Sequence, residues 1–161
     1  MKRLLILAIL ALPAFAQNYI ATTGNVSVVA ATYAATLQAP AASTGSTKAI
    51  QLQTATVYCS AACVLTQSYN CTTPATATAG TATPLPGGPI VPASATFWTA
   101  SNASGCTSIV VTNIPAGYSW PISLSDPQIA LRSTGTTSNY HFSLASVTAT
   151  VNISVIWKEQ Q

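Results

Sequence analysis

The last fifteen residues, VTATVNISVIWKEQQ, place the strongest constraint on how this chain folds. From Val147 to Trp157 every odd position is apolar (Val147, Ala149, Val151, Ile153, Val155, Trp157), and the even positions run Thr148, Thr150, Asn152, Ser154, Ile156. A period of two over this length predicts a strand with one buried face. Its polar face holds no charge before Lys158 and Glu159, and charge is one of the devices that keep sheet edges from joining. Such a strand either lies centrally, protected by its neighbours, or sits at an edge and invites association.

Other segments show the same period in different phases. Asn25 to Leu37 sets Val29, Ala31, Tyr33, Ala35 and Leu37 on one face. In Ile50 to Cys59, Ile50 and Leu52 share one parity and Ala55, Val57 and Cys59 the other, which predicts a bulge near Gln53 or Thr54. Cys63 to Tyr69 is read as its hairpin partner. Phe97 and Trp98 lie in a short strand, Ala95 to Ala100, followed by the Val/Ile-rich run Thr107 to Ile114. Trp120, Ile122 and Leu124 alternate, Ile129 and Leu131 begin a short segment, and Tyr140, Phe142 and Leu144 occupy even positions. Because the final strand uses odd positions, a turn or bulge at Ala145 and Ser146 must switch the parity.

The stretch CTTPATATAGTATPLPGGPIVPAS, with five prolines and three glycines, excludes a helix or a central strand, so a Pro/Thr-rich surface loop is expected over about 72–94. Its TATAGTAT run, Thr76 to Thr83, resembles one row of a stacked Thr-rich solenoid but has no repeat to stack on. The expectation is all-β: an antiparallel β-sandwich of about eight or nine short strands, in immunoglobulin-like or jelly-roll order. The Trp–Cys spacing of a true immunoglobulin domain is missing, since Trp98 lies only eight residues before Cys106 and far beyond Cys71.

The N-terminus has the form of a bacterial export leader. Lys2 and Arg3 precede an apolar run, Leu4 to Leu12, then Pro13 and the small-x-small site Ala14, Phe15, Ala16. The run is too short to span a bilayer. A signal peptide over 1–16 and a single β-sandwich domain over 17–161 are therefore expected, the product being secreted or held at the cell surface. Removing sixteen of 161 residues leaves 145, enough for one core.

Charge then narrows the chemistry. Charged residues make up 4% of the chain, and beyond the leader they are Lys48, Arg132 and Lys158 against Asp126 and Glu159, a net charge of +1. Phosphate tracking needs clustered Lys and Arg, so nucleic-acid binding is excluded. Acid/base catalysis needs paired groups of tuned protonation, and only Asp126, Glu159 and His141 are on hand. Glu159 beside Lys158 reads as a solvated ion, Asp126 before Pro127 as a turn cap, and His141 between Tyr140 and Phe142 as an exposed strand histidine. A triad of His141, Asp126 and one of many serines lacks the Gly-x-Ser-x-Gly elbow. No catalytic residue and no cofactor is assigned.

The four cysteines Cys59, Cys63, Cys71 and Cys106 are an even set in an exported chain, which favours disulfides over metal. Three pairings are open. The preferred one joins Cys59 to Cys63 across a turn and Cys71 to Cys106 around a long loop. No metal site is expected, because the Cys-x3-Cys spacing lacks a second matched pair. Tyr118 and Trp120, two apart, together with Trp98, are the candidate stacking platform for a sugar, although Trp120 stays in phase with the apolar Ile122 and Leu124. Four Asn-x-Ser/Thr sequons, at Asn25, Asn70, Asn102 and Asn152, carry little weight where about a quarter of the residues are Ser or Thr. Export, scarce ionisable groups and uncharged alternating strands point to a non-catalytic structural or assembly protein that pairs with copies of itself as an oligomer or fibre. A secreted carbohydrate- or surface-binding, adhesin-like module is the alternative.

Overall fold

A computed structural model of the chain describes residues 16–29, 32–40, 49–73, 78–87, 93–124, 130–132, 138–145 and 148–160. The expected leader up to Phe15, the expected turn cap Asp126, Lys48 and the parity switch at Ser146 lie outside the described residues.

Thirteen strands, more than the eight or nine expected, run in the order β1 (Ala16–Thr22), β2 (Val26–Val28), β3 (Thr32–Gln38), β4 (Ala49–Cys59), β5 (Cys63–Tyr69), β6 (Thr78–Ala79) and β7 (Ala82–Pro84). They continue with β8 (Thr96–Thr99), β9 (Thr107–Ile114), β10 (Tyr118–Ser123), β11 (Ala130–Arg132), β12 (Asn139–Ala145) and β13 (Ala149–Gln160). They form two antiparallel sheets packed face to face. One has the order β10-β4-β13-β1-β7, with β11 also on β4 and β2 also on β13, and the other β6-β8-β3-β12-β5-β9. No helix among the described residues is long and apolar enough to cross a membrane.

The uncharged last strand is central. It pairs with β4 from Val151 to Glu159 on one side and, on the other, with β2 from Ala149 to Val151 and β1 from Ser154 to Gln160. Odd positions Val151, Ile153, Val155 and Trp157 are all fully buried, and the Tyr19 ring stacks on Trp157 at a centroid distance of 5.7 Å. The bulge read from β4 is present: β13 shifts register between Ile156 and Trp157, pairing Thr54 and then Leu52 and skipping Gln53. That one extra residue lets Ile50, Leu52, Ala55, Val57 and Cys59 all face the core despite their change of parity.

Two segments divide more finely than their patterns implied. The expected strand from Asn25 to Leu37 is two strands in different sheets, β2 against β13 and β3 between β8 and β12. Tyr33, Ala35 and Leu37 are buried as expected, while Val29, between the two strands, is 89% exposed. Within the Pro/Thr-rich segment, β6 and β7 add two- and three-residue edges to opposite sheets. Even-phase β12 and odd-phase β13 also lie in opposite sheets, so each phase faces the shared core from its own side. In that core the Tyr140 hydroxyl donates to Gln67 Oε1 at 2.8 Å, which satisfies two buried polar groups at once. Burial pushes the Tyr140 phenol up to about 12.

Candidate functional site

Of the three candidate proton-moving groups, the two among the described residues, Glu159 and His141, are both buried. Glu159 continues the inward odd parity of β13 and is completely buried, in contrast to the solvated ion expected from its place beside Lys158. The reason is tertiary: the approach to β8 brings backbone donors onto its carboxylate. Ala95 N–H donates to Oε1 at 2.9 Å, Ser94 N–H to both oxygens at 3.1 and 2.9 Å, and the Trp157 indole N–H to Oε1 at 2.9 Å; the Ser94 hydroxyl bonds Oε2 as well. A desolvated carboxylate becomes tolerable when donors surround it in this way. Glu159 thereby ties the segment before β8 to the final strand and is sealed from any substrate.

His141 also departs from expectation. It does lie on the outer face of its sheet, as its parity required, but it is only 6% exposed. The connection from β8 to β9 folds across that face. Ser101 N–H bonds Ala34 O at 2.8 Å, Thr73 and Ser104 form a bridge, and the Cys71–Cys106 disulfide pins the end of the connection to the chain leaving β5. Gly105 has φ +66°, and a Cβ there would come within 2.1 Å of Thr72 Oγ1, so a side chain at this crossing would be strained and would displace the threonine hydroxyl. Beneath it, Thr36 Oγ1 sits 2.8 Å from His141 Nδ1 and 2.6 Å from Ser101 Oγ. Loss of water holds the imidazole below its ordinary value of 6.5.

The second disulfide, Cys59–Cys63, closes the turn between β4 and β5, which lie in opposite sheets rather than pairing as the expected hairpin, and both preferred pairings are present. Cys71, Cys106 and His141 bring one ligand atom each to within 4.8 Å of one another, the only such group of three among the described residues. In the oxidised protein both sulfurs are committed to the disulfide and Nδ1 to Thr36, so the cluster offers a metal no thiolate.

The aromatic platform is divided. Tyr118 and Trp120 share the inward parity of β10 and meet edge to face at 6.0 Å, with Trp120 packed against the core and Tyr118 about half exposed. Trp98 belongs to β8 in the other sheet. A different concave surface lies on the outer face of the first sheet: a shelf of about 450 Å³ lined by Asn25, Thr56, Tyr58, Ser119, Asn152 and Ser154, uncharged throughout. Asn152 is braced there, receiving the Thr22 and Ser154 hydroxyls on Oδ1 and donating to Asn25 Oδ1. Tyr58 falls on the solvent parity of β4, where a lone aromatic carries no pattern, so alternation gives no signal for it.

The open surface of greatest note is β9. It pairs with β5 on one side and with no other described strand. Ile109, Val110 and Val111 are 46%, 45% and 63% exposed, and no residue from Thr107 to Ile114 is charged. A hollow of about 350 Å³ adjoins the strand, lined by Tyr69, Asn70, Ile109, Ala130, Leu131 and Ser138.

No protein-family model, curated protein or solved structure matches this chain.

Proposed function

We propose that this chain is an exported, non-catalytic β-sandwich with a structural or assembly role at the cell surface or beyond it. The observation that carries this reading is β9, an eight-residue edge strand that presents three consecutive apolar side chains and no charge to solvent. Water-exposed apolar edges of this length are costly for a protein that remains solitary, and strand addition covers them. Export is supported by the leader-like N-terminus and by two disulfides that a reducing compartment would not sustain. A non-catalytic role is supported by the use of Glu159 and His141 as buried anchors. The test is sedimentation velocity over a wide concentration range, with electron microscopy of the most concentrated sample. A protein that stays monomeric throughout and forms no particles would refute the assembly role.

One observation favours binding of a neutral saccharide as a second reading. Thr56, Tyr58 and Ser119 line the shelf, and the half-buried Tyr58 among them offers a ring that a sugar face can stack on. A glycan array comparing the native chain with Tyr58→Ala tests it: retained binding in the variant, or none in the native chain, removes this reading.

A further inference from the structure

Resting on the assembly role, we infer that two copies join β9 to β9 in antiparallel register about a two-fold axis, and that association stops at this closed dimer. The sheet edges differ in what they offer an incoming strand. In the first sheet, one edge is β10, interrupted by Pro121, and β11, three residues long. Proline on an edge strand removes a backbone donor that a new neighbour needs. On the far side lie β7, three residues long and ending at Pro84, and β2, also of three residues. In the second sheet, β6 has two residues. Only β9 among these edges has both length and an unbroken set of donors and acceptors. Its register with β5 is continuous from Val110 to Ile114, the single shift lying opposite Gln67 and Ser68.

The occupant follows from the chemistry of the strand. When a strand pairs with its own copy about a two-fold axis, a charge near that axis meets its like in the partner, at a cost. Between Thr107 and Ile114 there is none to meet, and the residues are β-branched apolar, hydroxyl or amide. In the register that sets Val110 against Val111, self-pairing also places Ile109 against Thr112 and Thr107 against Ile114, a favourable cross-strand combination. The hollow beside Ile109, with Tyr69 and Leu131 on its wall, extends the apolar strip beyond the strand itself. A two-fold contact uses the same patch on both copies. One open edge per copy is consumed in the first pairing, and among the described residues no other edge of comparable length and free of proline is left to propagate a fibre.

The contact is one strand wide, below the roughly 1,200 Å² of a stable interface, so the dimer forms reversibly and only at high concentration. The test uses the oxidised, secreted chain in sedimentation equilibrium, with amide hydrogen exchange at low and high concentration. The expected result is a monomer–dimer equilibrium, with exchange slowed on concentration in Val110 to Ile114. Val111→Lys, at a 63% exposed site, should weaken dimerisation roughly tenfold or more while leaving the unfolding midpoint in place. Asn113→Lys, also exposed, provides a second variant should the first prove unstable. Self-association that survives both substitutions, or slows exchange at another edge instead, overturns the β9 assignment and leaves the assembly role standing. Growth of the native chain past the dimer overturns closure, and a native chain that never associates overturns the assembly role itself.

Discussion

Removing the Glu159 carboxylate gives the most direct test of the sandwich's internal chemistry. In Glu159→Ala, Ala95 N–H and the Trp157 indole N–H lose their acceptor inside the core, where these residues are 5% and 0% exposed. Ser94 is only half-buried, and water can replace its lost bonds. Each orphaned buried donor costs about 1–3 kcal/mol, so two cost roughly 2–6 kcal/mol. Relief from holding a desolvated carboxylate offsets part of this, leaving a net loss of about 3 kcal/mol. For a domain of this size each kcal/mol moves Tm by about 2–4 °C, so a fall of roughly 6–12 °C is expected. Glu159→Gln keeps an acceptor for Ala95 and Trp157 but turns an NH2 group toward Ser94, and should lose about half as much. Urea unfolding followed by tryptophan fluorescence measures both variants. A solvated carboxylate near a chain end would change stability by no more than about 0.5 kcal/mol on substitution. If Glu159→Ala falls within that limit, the anchoring role assigned to this residue is wrong.

The two disulfides should contribute unequally. In the chain-entropy model, closing the Cys71–Cys106 loop of 35 residues contributes roughly 4 kcal/mol, against about 2 kcal/mol for the four-residue separation of Cys59–Cys63. Paired Cys→Ala variants compared in urea should therefore differ by about 2 kcal/mol, and equal losses would place the importance of the first bridge elsewhere than loop closure. Burial of His141 predicts an acid-side loss of stability. Its folded pKa lies below the unfolded value of 6.5, so between the two the unfolded chain binds more protons, and stability falls as pH drops through that window and is fully present above it. Unfolding curves at a series of pH values should show this slope in the native chain and less of it in His141→Gln; identical slopes would mean that the imidazole is not protected from solvent.

Much of the architecture was legible because alternation carries phase. Odd positions in the last strand, even positions in Tyr140 to Leu144 and the phase break in Ile50 to Cys59 each specify which side chains face inward, and a phase break within one strand can only be a bulge. The cysteines likewise read as two bridges from their number and setting, and both preferred partners are bonded. Alternation is silent on neighbours, however. A central strand and an edge strand with one buried face have the same period, so the chain's most conspicuous uncharged strand proved to be protected. The exposed edge is Thr107 to Ile114, whose Val and Ile content resembles core.

The candidate groups were harder to place. Local sequence puts Glu159 next to a lysine and a chain end, and His141 on the outer parity of its strand. What buries them comes from far along the chain: Ser94 and Ala95, some 65 residues before Glu159, and the crossing held by Cys106 over His141. The class of fold, the inward-facing residues and the poverty of ionisable groups are properties of short-range pattern and composition, and are readable along the chain. Which strand is left open and which polar groups lose contact with water follow instead from strand order and loop crossings, which depend on contacts between distant segments.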